Sequence, residues 1–237
     1  MLFSEACERN KQPIAQALEG WLPRPARVFE VGSGSGQHAV HFTRQRDRLH
    51  WHPSERPGQL AGLQERIDRE GRGALAPGSA LADAVALDVT TGPWPPGPFD
   101  AVFTANTAHI MPASAVPDLV AGAAALLGPG GLLLLYGPFS DGGRHTAPSN
   151  AAFDAHLRSI DPTMGVRDAD WIIALARRHG MQPRADQAMP ANNRLLVFAA
   201  NGDTSGNSDT SGSGDANCSA AVSGGRASSR GRSTNRR

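Results

Sequence analysis

Arg27–Val40, RVFEVGSGSGQHAV, is the stretch that decides the fold. An apolar, strand-like run from Arg27 to Val31 meets three alternating glycines, Gly32, Gly34 and Gly36, and a helical stretch from Gln37 to Arg44 follows. Glycines let the backbone turn sharply and approach a ligand closely, and the following helix points its positive dipole end at the same place. Three of them between a strand and a helix make more than a tight turn. The dinucleotide pattern Gly-x-Gly-x-x-Gly, counted from Gly32, puts its third glycine where Gln37 stands. Counted from Gly34 the closing position is Ala39, which some dinucleotide folds accept. Glu30, two residues before Gly32, adds a second criterion: a carboxylate there disfavours a pyrophosphate and suits a cation.

Outward from this turn, strand and helix patterns alternate. Upstream, Ile14, Ala17, Leu18 and Trp21 form a helical stripe, with Pro13 read in its first turn and Gly20 near its end. Downstream come a strand at Leu49–Pro53, a helix at Leu60–Glu70 stopped by Gly71, and strands at Ala84–Leu87 and Phe99–Thr104. A helix from Val116 to Leu127 stops at GPGG, and Leu132–Tyr136 is apolar on both faces, as a central parallel strand is. After an irregular loop, a helix holds Phe153, Leu157 and Ile160, with Ser149 or Asn150 placed to cap it. Another carries Trp171, Ile172, Leu175 and Ala176 between Asp168 as cap and Gly180, and Arg194–Ala199 closes the series as a strand. Such alternation specifies an α/β fold with a parallel sheet covered on both faces.

An acid, one residue, then Gly-x-Gly-x-Gly, as in Glu30–Gly36, resembles the first motif of class I methyltransferases, which bind S-adenosyl-L-methionine. That cofactor carries an ammonium and a sulfonium and no phosphate. The resemblance implies a Rossmann-like fold with a seven-stranded, mostly parallel sheet. It also implies that the glycine loop cradles the methionine part and that an acid closing the second strand binds the ribose hydroxyls. Glu55, about 20 residues past the last glycine, has the separation expected of a ribose-binding acid, and one carboxylate can accept both vicinal hydroxyls. Asp88, in ALDVT, resembles the acid that binds the adenine amino group. Asn106, in FTANTAHI, follows the fourth strand, where such folds open toward cofactor and acceptor. Solvated loop acids or turn residues are the plainer readings of Glu55 and Asp88.

The segments ERNKQPI, WHPSE, LDV, NTAHI, YGPF, SNAAFDAHLR, DPTMGVRD and MPANNRLLVF, together with the glycine turn, occur in the order of a methyltransferase-like family of bacteria and animals. That family was long catalogued as a domain of unknown function, and the likeness spans roughly residues 5–200. It usually has Asp where this chain has Glu55, which keeps the carboxylate.

Methyl transfer is a direct displacement, so holding acceptor and methyl in line supplies much of the catalysis, and a base is useful only for a protonated acceptor. His109 is the first candidate base, followed by His145 and Tyr136; Asn150, Arg167, Asn192 and Asn193 are candidates to orient substrate. His38 with His41, and His50 with His52, lack the three or four converging ligands of a metal site, so no metal is expected. The Asn/Asp-Pro-Pro-aromatic pattern of amino-methylating nucleic-acid enzymes is absent, Asn106-Thr107-Ala108-His109 standing in its place. A small-molecule acceptor is therefore the main expectation. A non-catalytic cofactor-binding scaffold or regulator, and a nucleic-acid methyltransferase using a basic tail, are the alternatives.

The chain's 237 residues carry a net charge of +1 and are 40% hydrophobic, which excludes a protein drawn as a whole to nucleic acid or membrane by charge. Lys11 is the only lysine, and Cys7 and Cys218 make no disulfide framework, which fits a reducing, cytoplasmic setting. No segment reads as a signal peptide or membrane span. Composition breaks after Ala200, dividing a domain at 1–200 from a Ser/Gly/Arg-rich tail at 201–237 with too little apolar content to offset its ordering entropy. Removing that tail is expected to leave the melting temperature within about a degree, against roughly 2–4 °C for each 1 kcal/mol lost from a domain of this size.

Overall fold

The first helix, α1 (Glu5–Trp21), begins at Ser4, whose hydroxyl accepts from the Cys7 N–H at 3.3 Å, with Glu5 and Glu8 in the favourable first turn. It thus starts well before Pro13, which the apolar stripe suggests as a first-turn residue and which instead sits inside the helix. Capping and the buried face of Ile14, Ala17 and Leu18 outweigh the hydrogen bond that proline removes. The structure, a computed structural model, describes residues 2–202; the tail from residue 203 onward lies outside the described residues.

After α1 the chain runs through β1 (Ala26–Val31), α2 (Gln37–Gln45), β2 (Leu49–Glu55) and α3 (Leu60–Arg66), whose end widens into one π-helical turn, Ile67–Gly71. Next come β3 (Ala80–Leu81), β4 (Val85–Ala86), β5 (Phe99–Ala105), α4 (Val116–Leu126) and β6 (Leu127–Gly137). The last third holds β7 (Phe139–Asp141), β8 (Arg144–His145), α5 (Pro148–Ile160), β9 (Arg167–Asp168), α6 (Ala169–Arg178), β10 (Met181–Met189) and β11 (Asn193–Ala200).

The main sheet has the order β10-β11-β6-β5-β1-β2-β3, with β4 also on β2. From β6 to β2, and on to β3 and β4, every pairing is parallel; β11 and β10 are antiparallel. Counting β3 and β4 as one interrupted edge, this is the expected seven-stranded, mostly parallel sheet. The interruption corrects the single strand read at Ala84–Leu87: Leu81 pairs with Trp51 and Val85 with Ser54, while residues 82–84 leave the ladder and Asp83 turns out to Arg72. The edge strand β10, with a mostly exposed face, carries too little apolar alternation to be read from sequence. The segment read as an irregular loop holds β7 and β8, which form a small sheet with β9 from beyond α5, in the order β8-β7-β9. Neither Ser149 nor Asn150 caps α5: Ala147 is the cap residue and Pro148 supplies the first turn, where its missing N–H has no cost. Asp168 does cap α6, accepting from the Asp170 N–H at 3.0 Å.

Strand alternation feeds two cores. Val28, Trp51, Phe103, Leu134 and Tyr136 pack with α1, α2 and α3 on one face. Phe29, Val31, Val102, Leu133, Leu135 and Phe198 pack with α4 and α6 on the other. The carboxyl ends of β1, β2 and β5 converge between these layers, where α/β sheets bind ligands.

Candidate functional site

At the end of β1 the three glycines hold left-handed φ values of +71°, +54° and +73°, but for different reasons. A Cβ on Gly32 would lie 2.9 Å from Thr107 Oγ1, and one on Gly36 would lie 2.8 Å from Leu63 Cδ1, so both are required by close packing. A Cβ on Gly34 would meet nothing within 4 Å. Its bare backbone faces open space: a cradle.

Hydrogen bonds stitch this turn to the end of β2. Ser33 N–H donates to the Ser54 carbonyl at 2.9 Å, and Ser54 N–H to Ser33 Oγ at 3.2 Å. Ser54 Oγ donates to the Glu30 carbonyl at 2.6 Å. Glu55 accepts from the Gly34 N–H at 2.8 Å through Oε2 and from the Arg56 N–H at 2.9 Å through Oε1. A carboxylate offers about four lone-pair sites. Two are in use, which leaves two for a ligand's vicinal hydroxyls.

Glu30 lies beneath the turn, 1% exposed, and its Oε2 accepts from Trp51 Nε1 at 2.8 Å. Burial raises its carboxyl to about 7; the bonds from Trp51 and Ser33 oppose the rise and the Glu55 charge adds to it. The guanidinium of Arg66, packed under the same turn, is already engaged: it holds the Ser35 carbonyl, the Leu2 carbonyl at 2.7 Å and Glu70 at 2.8 and 2.9 Å. Glu55 borders the cradle, then, Glu30 lies buried beneath it, and Arg66 is paired. That donor set fits a cationic, phosphate-free ligand such as S-adenosyl-L-methionine and disfavours a pyrophosphate.

Asp88 stands just past β4, beside the end of β2, because the Leu87 N–H donates to the Glu55 carbonyl at 2.9 Å. Its Oδ1 accepts from the Thr90 hydroxyl at 2.6 Å and the Thr90 N–H at 2.9 Å; the Thr90 hydroxyl is the main reason its carboxyl is held below the ordinary range. Asn106 follows β5 with φ +57°, a left-handed conformation that asparagine tolerates better than most residues. Its neighbour Thr107 is the side chain that presses on Gly32.

His109 sits deeper than a base exposed to an acceptor would. It is 5% exposed and T-stacked on Phe153 at 5.2 Å. Burial first, and the Arg167 charge second, lower its imidazole to about 4. A group so far below neutrality is poorly matched to general-base work at about pH 7. Arg167 donates to the carbonyls of Ala108 at 2.9 Å, Met111 at 2.6 Å and Thr163 at 2.9 Å, bracing the segment that carries His109. Asn150 ties α5 to the turn before β11 through Thr146 Oγ1 at 3.2 Å and the Asn192 carbonyl at 3.0 Å, while Asn192 donates to Ser149 Oγ at 3.0 Å. His145 lies on the β7–β8 hairpin, 3.6 Å from Asp154. The structure brings Glu30, the three glycines, Glu55, Asp88 and Asn106 to one end of the sheet and uses Arg167, Asn150 and Asn192 as struts.

Sequence reasoning missed Ser33, Ser54, Trp51, Thr107 and Arg66. The contacts that bring them to the turn span at least 21 residues of chain, a range that local periodicity does not report. Among the described residues no three His, Cys, Asp or Glu side chains converge on a metal position, and no helix is long and apolar enough to cross a membrane. A groove of about 750 Å³, lined by Trp21, Pro23, Phe99, Gly130 and Arg184, opens where β5 and β6 begin, at the opposite end of the sheet from the glycine turn.

Solved structures share the fold. An O-methyltransferase family protein from Burkholderia thailandensis superposes with a TM-score of 0.68 at 20% identity, over 84% of this chain and 58% of its own. Mitomycin 7-O-methyltransferase MmcR gives 0.66 at 18%, over 81% and 54%. CalO1, a methyltransferase of calicheamicin biosynthesis solved with S-adenosylhomocysteine bound, gives 0.63 at 16%, over 81% and 53%. This chain spans little more than half the length of these proteins. Its fold is that of class I methyltransferases. The family described as protein of unknown function (DUF938) matches residues 1–200, and the chain belongs to that family.

Proposed function

We propose that this protein binds S-adenosyl-L-methionine in the glycine cradle and transfers its methyl group to a small-molecule acceptor. The observation that carries the reading is the open, φ-positive Gly34 joined to Glu55, with a second carboxyl group behind it. The cofactor supplies an activated methyl on a cationic sulfur, which leaves as a neutral thioether with the electron pair of the broken bond. In this reading Gly32, Gly34 and Gly36 shape the backbone that receives the methionine part, Glu55 accepts the ribose hydroxyls, and Asp88 takes the adenine amino group. Glu30 fixes the turn from below through Trp51, and Asn106 borders the opening toward the acceptor. Catalysis rests on alignment, and the acceptor's proton passes to water. MmcR and CalO1 are named for mitomycin and calicheamicin chemistry, which supports a small acceptor here by analogy of fold alone.

Incubating the purified protein with methyl-labelled cofactor and fractionated metabolites is expected to yield a labelled small product. Binding without any labelled product would instead favour a cofactor-binding scaffold. For His109 the packing predicts a structural role. His109→Ala is expected to cost about 2 kcal/mol or more, roughly 4–8 °C of melting temperature, and to weaken cofactor binding and turnover together. A rate loss of about 10²–10⁴ with unchanged melting temperature would make His109 the base after all.

A further inference from the structure

Gln37 opens α2 at the position where a Gly-x-Gly-x-x-Gly turn counted from Gly32 carries its closing glycine. That glycine lets helix pack closely on strand; here the position carries a long carboxamide, 6% exposed. Ser4 N–H and the Ser35 hydroxyl donate to its Oε1 at 2.7 and 2.8 Å, and its Nε2 donates to Glu8 Oε2 at 2.8 Å. A backbone N–H only donates and an ionised carboxylate only accepts, so the carboxamide has one possible orientation. Gln37 thus joins Ser35, next to the open Gly34, to the cap and the first turn of α1.

The start of α1 depends on such ties. Its buried apolar face, Ile14, Ala17 and Leu18, begins only after Pro13, and Pro13 has no N–H for the Arg9 carbonyl one turn back. Before Pro13, hydrogen bonds hold the chain on α2 and α3. Besides the Gln37 bonds, His38 Nε2 lies 2.7 Å from Asn10 Oδ1, and His41 Nε2 lies 3.2 Å from Gln12 Oε1. Arg66 donates to the Leu2 carbonyl at 2.7 Å. Of these anchors Gln37 and Arg66 also hold Ser35, by its hydroxyl and its carbonyl respectively. Arg66 reaches only the chain ahead of α1, whereas Gln37 grips the helix itself.

We propose that Gln37 is a positioning residue for the methionine end of the cofactor, setting the start of α1 against the glycine turn as a wall of the site. The proposal rests on the cofactor reading above. In that reading Asp88 and Glu55 serve adenine and ribose from beyond β4 and the end of β2. Gln37 acts instead at the end of β1, on the turn that receives the methionine part. Loss of its three bonds releases the Ser35 hydroxyl and lets the first turns of α1 lift from α2. The bond between Glu55 and the Gly34 N–H, on the adenosine side, stays in place.

S-adenosylhomocysteine and methylthioadenosine separate the two ends, since the second has the adenosine and the sulfur but no amino-acid part. By calorimetry, Gln37→Ala is expected to weaken S-adenosylhomocysteine about tenfold or more and to leave methylthioadenosine within about twofold of the wild type. A purely structural role would not distinguish the two ligands. Glu8→Ala, on the exposed side of α1, removes one of the three bonds and leaves the buried face of the helix intact. It is expected to give a smaller loss on S-adenosylhomocysteine alone, and it carries the same comparison should Gln37→Ala fail to fold. Equal losses on both ligands, or no loss on either, would overturn the proposal and leave the cofactor reading standing. Failure of both ligands to bind the wild-type protein would overturn both.

Discussion

Gly34→Val is expected to abolish cofactor binding while the domain still folds. The position has φ +54°, which a β-branched residue adopts only under strain, and its missing Cβ faces the space a ligand would fill. No protein atom lies within 4 Å of that Cβ, so the valine displaces ligand before it displaces core. The expected loss is on the order of 100-fold or more in Kd, about 2.8 kcal/mol, measured by calorimetry. Gly34→Ala, with a single methyl and similar backbone strain, should fall between the wild type and valine. An unchanged Kd in the valine variant would place the ligand elsewhere. Substitution at Gly32 or Gly36 would be less informative, since Thr107 and Leu63 occupy the space there and folding itself would suffer.

The largest stability effect is expected at Arg167. Its buried guanidinium serves three carbonyls, from Ala108, Met111 and Thr163, which draws the loop after β5 against the segment before β9. Arg167→Ala takes the side-chain donor from the Ala108 and Met111 carbonyls, leaves Thr163 with the Ala113 N–H at 3.1 Å, and opens space beneath them, at a cost of about 3–4 kcal/mol, or roughly 6–16 °C of melting temperature. Arg167→Lys should recover only part, because a compact ammonium cannot reproduce a planar fork reaching three carbonyls. The same loop carries Asn106 and Thr107, so the variant should also loosen the mouth of the site. A shift of under about 2 °C for the alanine variant would show that the loop stands without its strut.

The glycine turn is legible in the sequence because strand, turn and helix each leave a local signature, and Glu55 because the end of β2 follows at a regular distance. The central strands are legible because Phe99–Ala105 and the second half of Leu127–Gly137 bury both faces and are apolar nearly throughout. What escapes a local reading is tertiary. Pro13 reads as a helix start, yet the cap is Ser4, well upstream, and its N–H donates to Gln37 Oε1 at 2.7 Å, which ties the start of α1 to the first turn of α2. Arg167 reads as a substrate ligand because it is a charged residue next to a loop. Its burial makes it a strut instead, through carbonyls 56 and 59 residues away in sequence. The place of His109 after β5 suggests catalysis, and only the packing of Phe153 and the depth of the ring argue otherwise.

The central claim is that the glycine turn holds a cationic, phosphate-free cofactor, and calorimetric titration of the full chain tests it most directly. S-adenosyl-L-methionine and S-adenosylhomocysteine are expected to bind with one-to-one stoichiometry, and NADH is expected to give no binding heat, because the Glu55 carboxylate borders the cradle and Arg66 is already paired. Saturable binding of NADH, with no binding of either sulfur compound, would contradict the account.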